Sequence, residues 1–140
     1  MSKKYNCAGV AVFRYHNNIL ETVLVKTKAG HYSMPKGKRT KNEDNFACAI
    51  RELEEETGIL PDMIILGTET YIEKDNIIYY VAKIKPEYND FKLKISDPDE
   101  LEEICWMDIE KVKRLDEKSL KPVRRVIIEQ ASSASSASSV

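Results

Sequence analysis

A chain of 140 residues with 42% hydrophobic and 32% charged residues has the profile of one globular domain around a single core. Its net charge of −1 sets up no bulk field that calls for nucleic acid, and no apolar run reaches membrane length. Three cysteines, Cys7, Cys48 and Cys105, are odd in number and widely spaced, which points to free thiols in a reducing compartment. With no secretory signal, the expected location is cytoplasmic.

Residues 5–15 alternate Ala8, Val10 and Val12 against Gly9, Ala11 and Phe13, so both faces are apolar and a central strand is expected. His16-Asn17-Asn18 supplies turn residues that tolerate positive φ, and residues 19–26 return as a second strand in a hairpin. After a loop over 28–35 and a helical stretch described below, residues 63–72 and 77–85 form a second hairpin, joined across 73–76. Residues 91–95 (FKLKI) alternate as a short strand, and 101–107 read as the next one. From Asp108 the apolar spacing becomes helical at Ile109, Val112 and Leu115, then again after Pro122 at Val123, Val126 and Ile127. Residues 131–140, ASSASSASSV, are too poor in apolar groups to fold and read as a disordered or vector-derived tail behind a domain over 1–130.

The stretch from Pro35 to Ile59 carries the chemistry. Asn42 is a good N-cap, Glu43 and Asp44 put negative charge in the first turn, and Gly58 is a natural stop. At about 100° per residue, Phe46, Ala49, Ile50 and Leu53 form one apolar stripe. Glu52, Glu55 and Glu56 crowd within about 100° beside it, while Glu54 points away. Like charges at these spacings repel by a few tenths of a kcal/mol each, and a solvated acidic face is the ordinary explanation of such a run. The surrounding pattern is not ordinary. It reads G-x5-E-x7-R-E-L-x-E-E-x-G-I from Gly37 to Ile59, and average composition yields it about once in a billion start positions. A close set of carboxylates is what a hard divalent cation such as Mg²⁺ requires, shared with substrate phosphates.

This pattern resembles the signature of the Nudix hydrolases at every specified position. The resemblance implies a three-layer α/β/α sandwich with a mixed sheet. It also implies Mg²⁺-dependent hydrolysis, with Mn²⁺ as substitute, of a nucleoside diphosphate linked to another moiety. It further implies Glu52, Glu55, Glu56 and the Gly37 carbonyl as metal ligands, with Glu52 able to orient or deprotonate the attacking water. Arg51 would hold the catalytic carboxylate in place. Glu43 is implied as its helper, yet on one continuous helix the two lie about 12 Å apart along the axis, which favours an indirect link.

Outside the motif, Lys36 resembles a phosphate-contacting lysine of diadenosine-tetraphosphate hydrolases and mRNA-decapping enzymes. Glu100, six residues before Trp106, resembles their second-site carboxylate, with Glu103 as the substitute. Tyr32 stands where both groups often have Trp. Tyr79-Tyr80 resembles an aromatic strand of the tetraphosphate hydrolases, and alternation sends one ring to the core and the other to the site. Each of these has an ordinary alternative as a loop lysine, a charged loop or a core tyrosine. Cys48 falls on the carboxylate face but is read as a small buried hydrophobe.

The expected substrate is a nucleotide small molecule, most simply a dinucleoside polyphosphate such as diadenosine tetraphosphate. Capped RNA is the second candidate, and a non-catalytic nucleotide-binding module the third. Decapping enzymes carry further domains that 140 residues do not hold. If RNA were bound, the basic segment around Lys121, Arg124 and Arg125 is where affinity is expected. No membrane partner is expected, and a monomer is favoured.

Overall fold

The computed structural model describes residues 3–96 and 98–137, with side chains as far as 133. Among the described residues there are seven strands: β1 (Cys7–His16), β2 (Ile19–Thr27), β3 (Tyr32–Ser33), β4 (Lys36–Lys38), β5 (Ile64–Glu73), β6 (Ile77–Ile84) and β7 (Leu101–Asp108). The helices are α1 (Asn45–Thr57), the single turn α2 (Ile109–Val112) and α3 (Pro122–Ala137). The sheet runs β3-β2-β1-β6-β5, with β7 on β2 and β4 on β1. Only the β1–β6 pair is parallel, so the sheet is mixed as expected.

Alternation along β1 and β6 separates two cores. Ala8, Val10, Val12, Ile78 and Ala82 pack with Cys48, Ala49 and Leu53 under α1. Ala11, Phe13, Ile77, Tyr79 and Val81 pack with Val112, Leu120, Ile127 and Ile128 under α2 and α3. These are the three layers. Both hairpin turns use the left-handed residues the sequence offers, Asn17 and Asn18 in one and Lys74 and Asp75 in the other.

Strand register explains how a site opens in this sheet. β1 and β2 pair with each other only near their hairpin, from Phe13–Thr22 to His16–Ile19. Beyond it they part, and the segment 32–38 fills the gap, with β3 on β2 and β4 on β1. The chain leaves this gap directly into α1.

Three expectations are corrected. Residues 91–95 make no strand: the Lys94 amide donates to the Thr57 carbonyl at 2.9 Å, and Phe91 and Leu93 pack below the end of α1. Their alternation serves packing, since no strand lies alongside. Phe46 is 40% exposed and meets Tyr80 edge-on, with ring centroids 5.3 Å apart, so the buried stripe of α1 is Cys48, Ala49 and Leu53. The Ser/Ala repeat is not excluded from the fold. α3 continues to Ala137, Ala131 is fully buried, and the Ser132 and Ser133 hydroxyls donate to the Glu129 carbonyl. Alanine is the best helix former, and packing of the preceding turns carries the helix onward. Residues 138–140 lie outside the described residues.

One buried ion pair ties α3 to the sheet. Arg124 Nε donates to Glu73 Oε1 at 2.9 Å, and the Tyr79 hydroxyl donates to the same oxygen at 2.9 Å. Both charged residues are under a tenth exposed, so Arg124 is not part of an RNA-facing surface. Arg125 is likewise engaged, with Nη2 on the Leu115 carbonyl. Arg124→Met would leave the Glu73 carboxylate buried without its cation and is expected to cost about 3–5 kcal/mol by denaturant unfolding. The double variant with Glu73→Met should recover much of that loss. Equal destabilisation of single and double variants would show the pair to be incidental.

Candidate active site

Helix α1 starts later than the sequence suggests. Asp44, not Asn42, is the N-cap, and its Oδ1 accepts the Ala47 amide at 2.7 Å. Glu43 is therefore outside the helix and free to fold back along it. Arg51 Nε and Nη2 donate to its two carboxylate oxygens at 2.5 and 2.9 Å. The direct Glu43–Arg51 link, judged too long on a continuous helix, is thus a bidentate pair. The motif spacing itself was the signal, because seven residues separate the two whatever the helix start.

Arg51 gathers more than Glu43. Nη1 donates to Glu52 Oε1 at 2.8 Å and to Glu55 at 3.2 Å, and Nη2 donates to the Lys38 carbonyl at 3.0 Å. Hydrogen bonds from Arg51 hold the Glu43 carboxyl down at about 2. The same bonds push the guanidinium above its ordinary value.

Glu52 lies against β4. A Cβ built on Gly37 would meet the Glu52 carboxylate at 2.1–2.4 Å, so only glycine admits this contact. Glu56 Oε1 accepts the Lys36 amide at 3.1 Å. Burial raises the carboxyl of Glu52 and pushes that of Glu56 up to about 8, against an ordinary 4.5. The negative charge of Glu100, in the turn before β7, adds to both shifts in the same direction. Glu103 instead accepts the Tyr32 hydroxyl at 2.9 Å. Cys48 is fully buried, with Sγ 3.5 Å from the Gly37 carbonyl.

Among the described residues, no three His, Cys, Asp or Glu side chains already stand as a metal cage. Glu55 is engaged by Arg51 and Glu56 by an amide. The donor chemistry nevertheless fits a hard divalent cation: oxygen donors only, with Glu52 and Glu56 partly desolvated and Glu55 open to solvent, and mutually repelling until a cation neutralises them.

A pH signature follows for the protein stripped of metal. The Glu56 carboxyl is higher in the folded than in the unfolded state, so folding favours its neutral form. Stability should fall as pH rises from about 5 to about 8 and level off above. Glu43 acts with the opposite sign, its contribution being lost only as pH drops from the ordinary 4.5 toward about 2. Glu56→Gln should flatten the upper slope in thermal melts; an unchanged slope would sink the assignment.

The tyrosines divide unlike the sequence expectation. Tyr79 is fully buried with its hydroxyl on Glu73, so it presents no stacking face. Tyr80 turns to the other layer, where Phe46 covers one side of it under α1. Helices lie on both sides of this strand, so Tyr79 enters the core under α3 while Tyr80, on the α1 side, stays partly exposed. Tyr32, half-buried between Lys26 Nζ, 5.4 Å from its ring centroid, and Glu103, is the remaining aromatic.

A NUDIX domain model matches residues 6–130. The chain belongs to the NUDIX family. Among its relatives is the m7GpppN-mRNA hydrolase of Saccharomyces cerevisiae, 31% identical over 113 residues, which are 76% of this chain but 11% of that protein. The NUDIX chain thus spans about a tenth of that relative's length. The asymmetrical bis(5'-nucleosyl)-tetraphosphatase of Mus musculus is 28% identical over 123 residues, covering 76% of this chain and 81% of the mouse protein. The NUDIX chain also superposes on a C. elegans Ap4A hydrolase solved as a binary complex, with TM-score 0.74 at 22% identity over 94% and 97% of the two chains. That likeness shows the fold. Among the described residues of the NUDIX chain, no helix is long and apolar enough to cross a membrane.

Proposed function

We propose that this NUDIX domain hydrolyses a phosphoric anhydride bond in a nucleoside diphosphate-X substrate, and that a dinucleoside polyphosphate such as diadenosine tetraphosphate fits best. The observation that carries the hydrolytic reading is the Glu52 carboxylate seated on Gly37 while Arg51 ties it to Glu43 and Glu55. Glu52, Glu55, Glu56 and the Gly37 carbonyl would hold Mg²⁺, with Mn²⁺ as substitute. The cation, when bound, would neutralise phosphate charge and lower the pKa of coordinated water. Arg51 fixes the orientation of Glu52, which is placed to orient or deprotonate the attacking water, with Glu100 beside it as a second carboxylate. Lys36 bonds Glu56 through its backbone amide, and its ammonium, on the other face of β4, would contact a phosphate leaving the cradle. Tyr32 offers a face for a base.

Support for the dinucleotide comes from similarity to a tetraphosphatase over most of both chains, and from Tyr32 beside the gap. Tyr79, buried on Glu73, lends it none. Capped RNA is the second reading, favoured by the yeast relative's higher identity. The test is a panel of diadenosine polyphosphates, capped RNA, nucleoside triphosphates, ADP-ribose and diphosphoinositol phosphates, with products identified. The expected outcome is ATP and AMP from diadenosine tetraphosphate, abolished by chelation and restored by Mg²⁺. Tyr32→Ala should raise KM more than it lowers kcat, since stacking is mostly uniform binding. Release of m⁷GDP from capped RNA, with little turnover of free dinucleotides, would replace this reading.

A further inference from the structure

Strand β4 has two faces with different chemistry. Gly37 pairs with Ala8 and turns to α1, whereas Lys36 and Lys38 pair with Gly9 and Cys7 and project from the other face. Lys36 and Lys38 therefore form a row, about 7 Å apart along the strand, that leads away from the carboxylates. The row ends at a pocket of about 460 Å³ lined by Asn6, Cys7, Lys38, Arg39 and Asn76.

Among the described residues, the two cations that line this pocket, Lys38 and Arg39, make no ion pair, although acidic residues slightly outnumber basic ones in the chain, 23 to 22. Arg39 donates to the carbonyls of Tyr5, Thr40 and Glu43, which orient its guanidinium without neutralising it. The carboxylate that could have paired with it, Glu43, is taken by Arg51. Asn6 Nδ2 donates to Asn76 Oδ1 at 2.7 Å, fixing the amide of Asn76 at the pocket's rim and leaving its Nδ2 to donate elsewhere. An ammonium, a guanidinium held by its own backbone and an oriented amide are the donors that phosphate oxygens accept from.

We infer that the Asn6–Lys38–Arg39–Asn76 pocket is a second phosphate subsite, which takes the substrate's phosphate groups lying beyond those at the carboxylate cradle. This rests on the phosphoanhydride reading above. Two sources share the chemistry: the distal phosphates of a long dinucleoside bridge, or the first phosphodiesters behind a 5' cap.

The test separates binding from turnover. Protein stripped of metal and desalted is titrated calorimetrically with inorganic tripolyphosphate, since without a cation the carboxylates repel the anion and the basic pocket attracts it. Lys38→Glu and Asn76→Ala are each expected to weaken tripolyphosphate binding by about tenfold or more, the scale of a lost charge-assisted hydrogen bond. Lys111→Glu, which reverses an equal charge on α2, should leave it unchanged. Steady-state kinetics of the Mg²⁺-loaded variants then identify the source. A KM raised for diadenosine tetraphosphate assigns the pocket to the bridge. A KM raised only for capped RNA longer than the cap dinucleotide, with a shallower salt dependence, assigns it to phosphodiesters. Unchanged tripolyphosphate affinity in both pocket variants, or an equal loss in Lys111→Glu, overturns the subsite. Absence of turnover on every substrate would overturn the hydrolytic reading alone, because the titration is read without it.

Discussion

Replacing Glu52 by Gln should lower kcat by about 10²–10⁴-fold, the range for removing a positioned proton acceptor, while Glu54→Gln leaves kcat near wild type. The two residues are two apart on α1 but in opposite surroundings. Glu52 is half-buried against Gly37 and bonded to Arg51, whereas Glu54 is exposed on the outer face beside Phe46, Ile50 and Pro61. Thermal melts of metal-free protein separate chemistry from folding. Burial already raises the Glu52 carboxyl, so a neutral amide of the same shape removes a desolvation cost and should not lower Tm. Glu56→Gln should follow Glu52→Gln in both readouts. Similar losses of kcat at Glu52 and Glu54 would show that the reacting face of α1 has been misassigned.

Gly37→Ala is expected to be nearly as damaging as losing the Glu52 side chain, although it removes no functional group. The added methyl would stand 2.1–2.4 Å from the carboxylate atoms of Glu52, far inside contact distance. Either the carboxylate swings out, breaking its bond from Arg51, or β4 is pushed off β1 and the Gly37 carbonyl moves with it. Both outcomes disassemble the cradle. A double-variant cycle makes the cause visible. In a Glu52→Ala background the methyl has nothing to strike, so Gly37→Ala should then add little further loss of kcat. Additive losses would mean that Gly37 acts through β4 alone and not through Glu52.

The elements whose signal is local were legible from the chain by itself. Alternation marked β1, β2, β5, β6 and β7 to within a residue or two, because period two is set by the backbone pleat whatever lies alongside. The first hairpin turn followed from Asn17 and Asn18, which accept positive φ, and the second from the strand pattern on either side of 73–76. The carboxylate face of α1 followed from helical period, with Cys48 correctly placed in the core beside it. The pairing of Glu43 with Arg51 did not, because the helix begins at Asp44 and a side chain just outside a helix is not bound by its rise. Tertiary structure alone decided what covers each face. Tyr79 and Tyr80 alternate as expected, but helices lie on both sides of β6, so Tyr79 is fully buried and Tyr80 is covered on one side by Phe46. Residues 91–95 alternate like a strand and have no neighbour to pair with, and Arg124 reads as a surface cation until Glu73, 51 residues away, is found beneath it. Periodicity states which side chains share a face. Which element comes to lie against that face depends on contacts between residues far apart in sequence, and those exist only once the chain has folded.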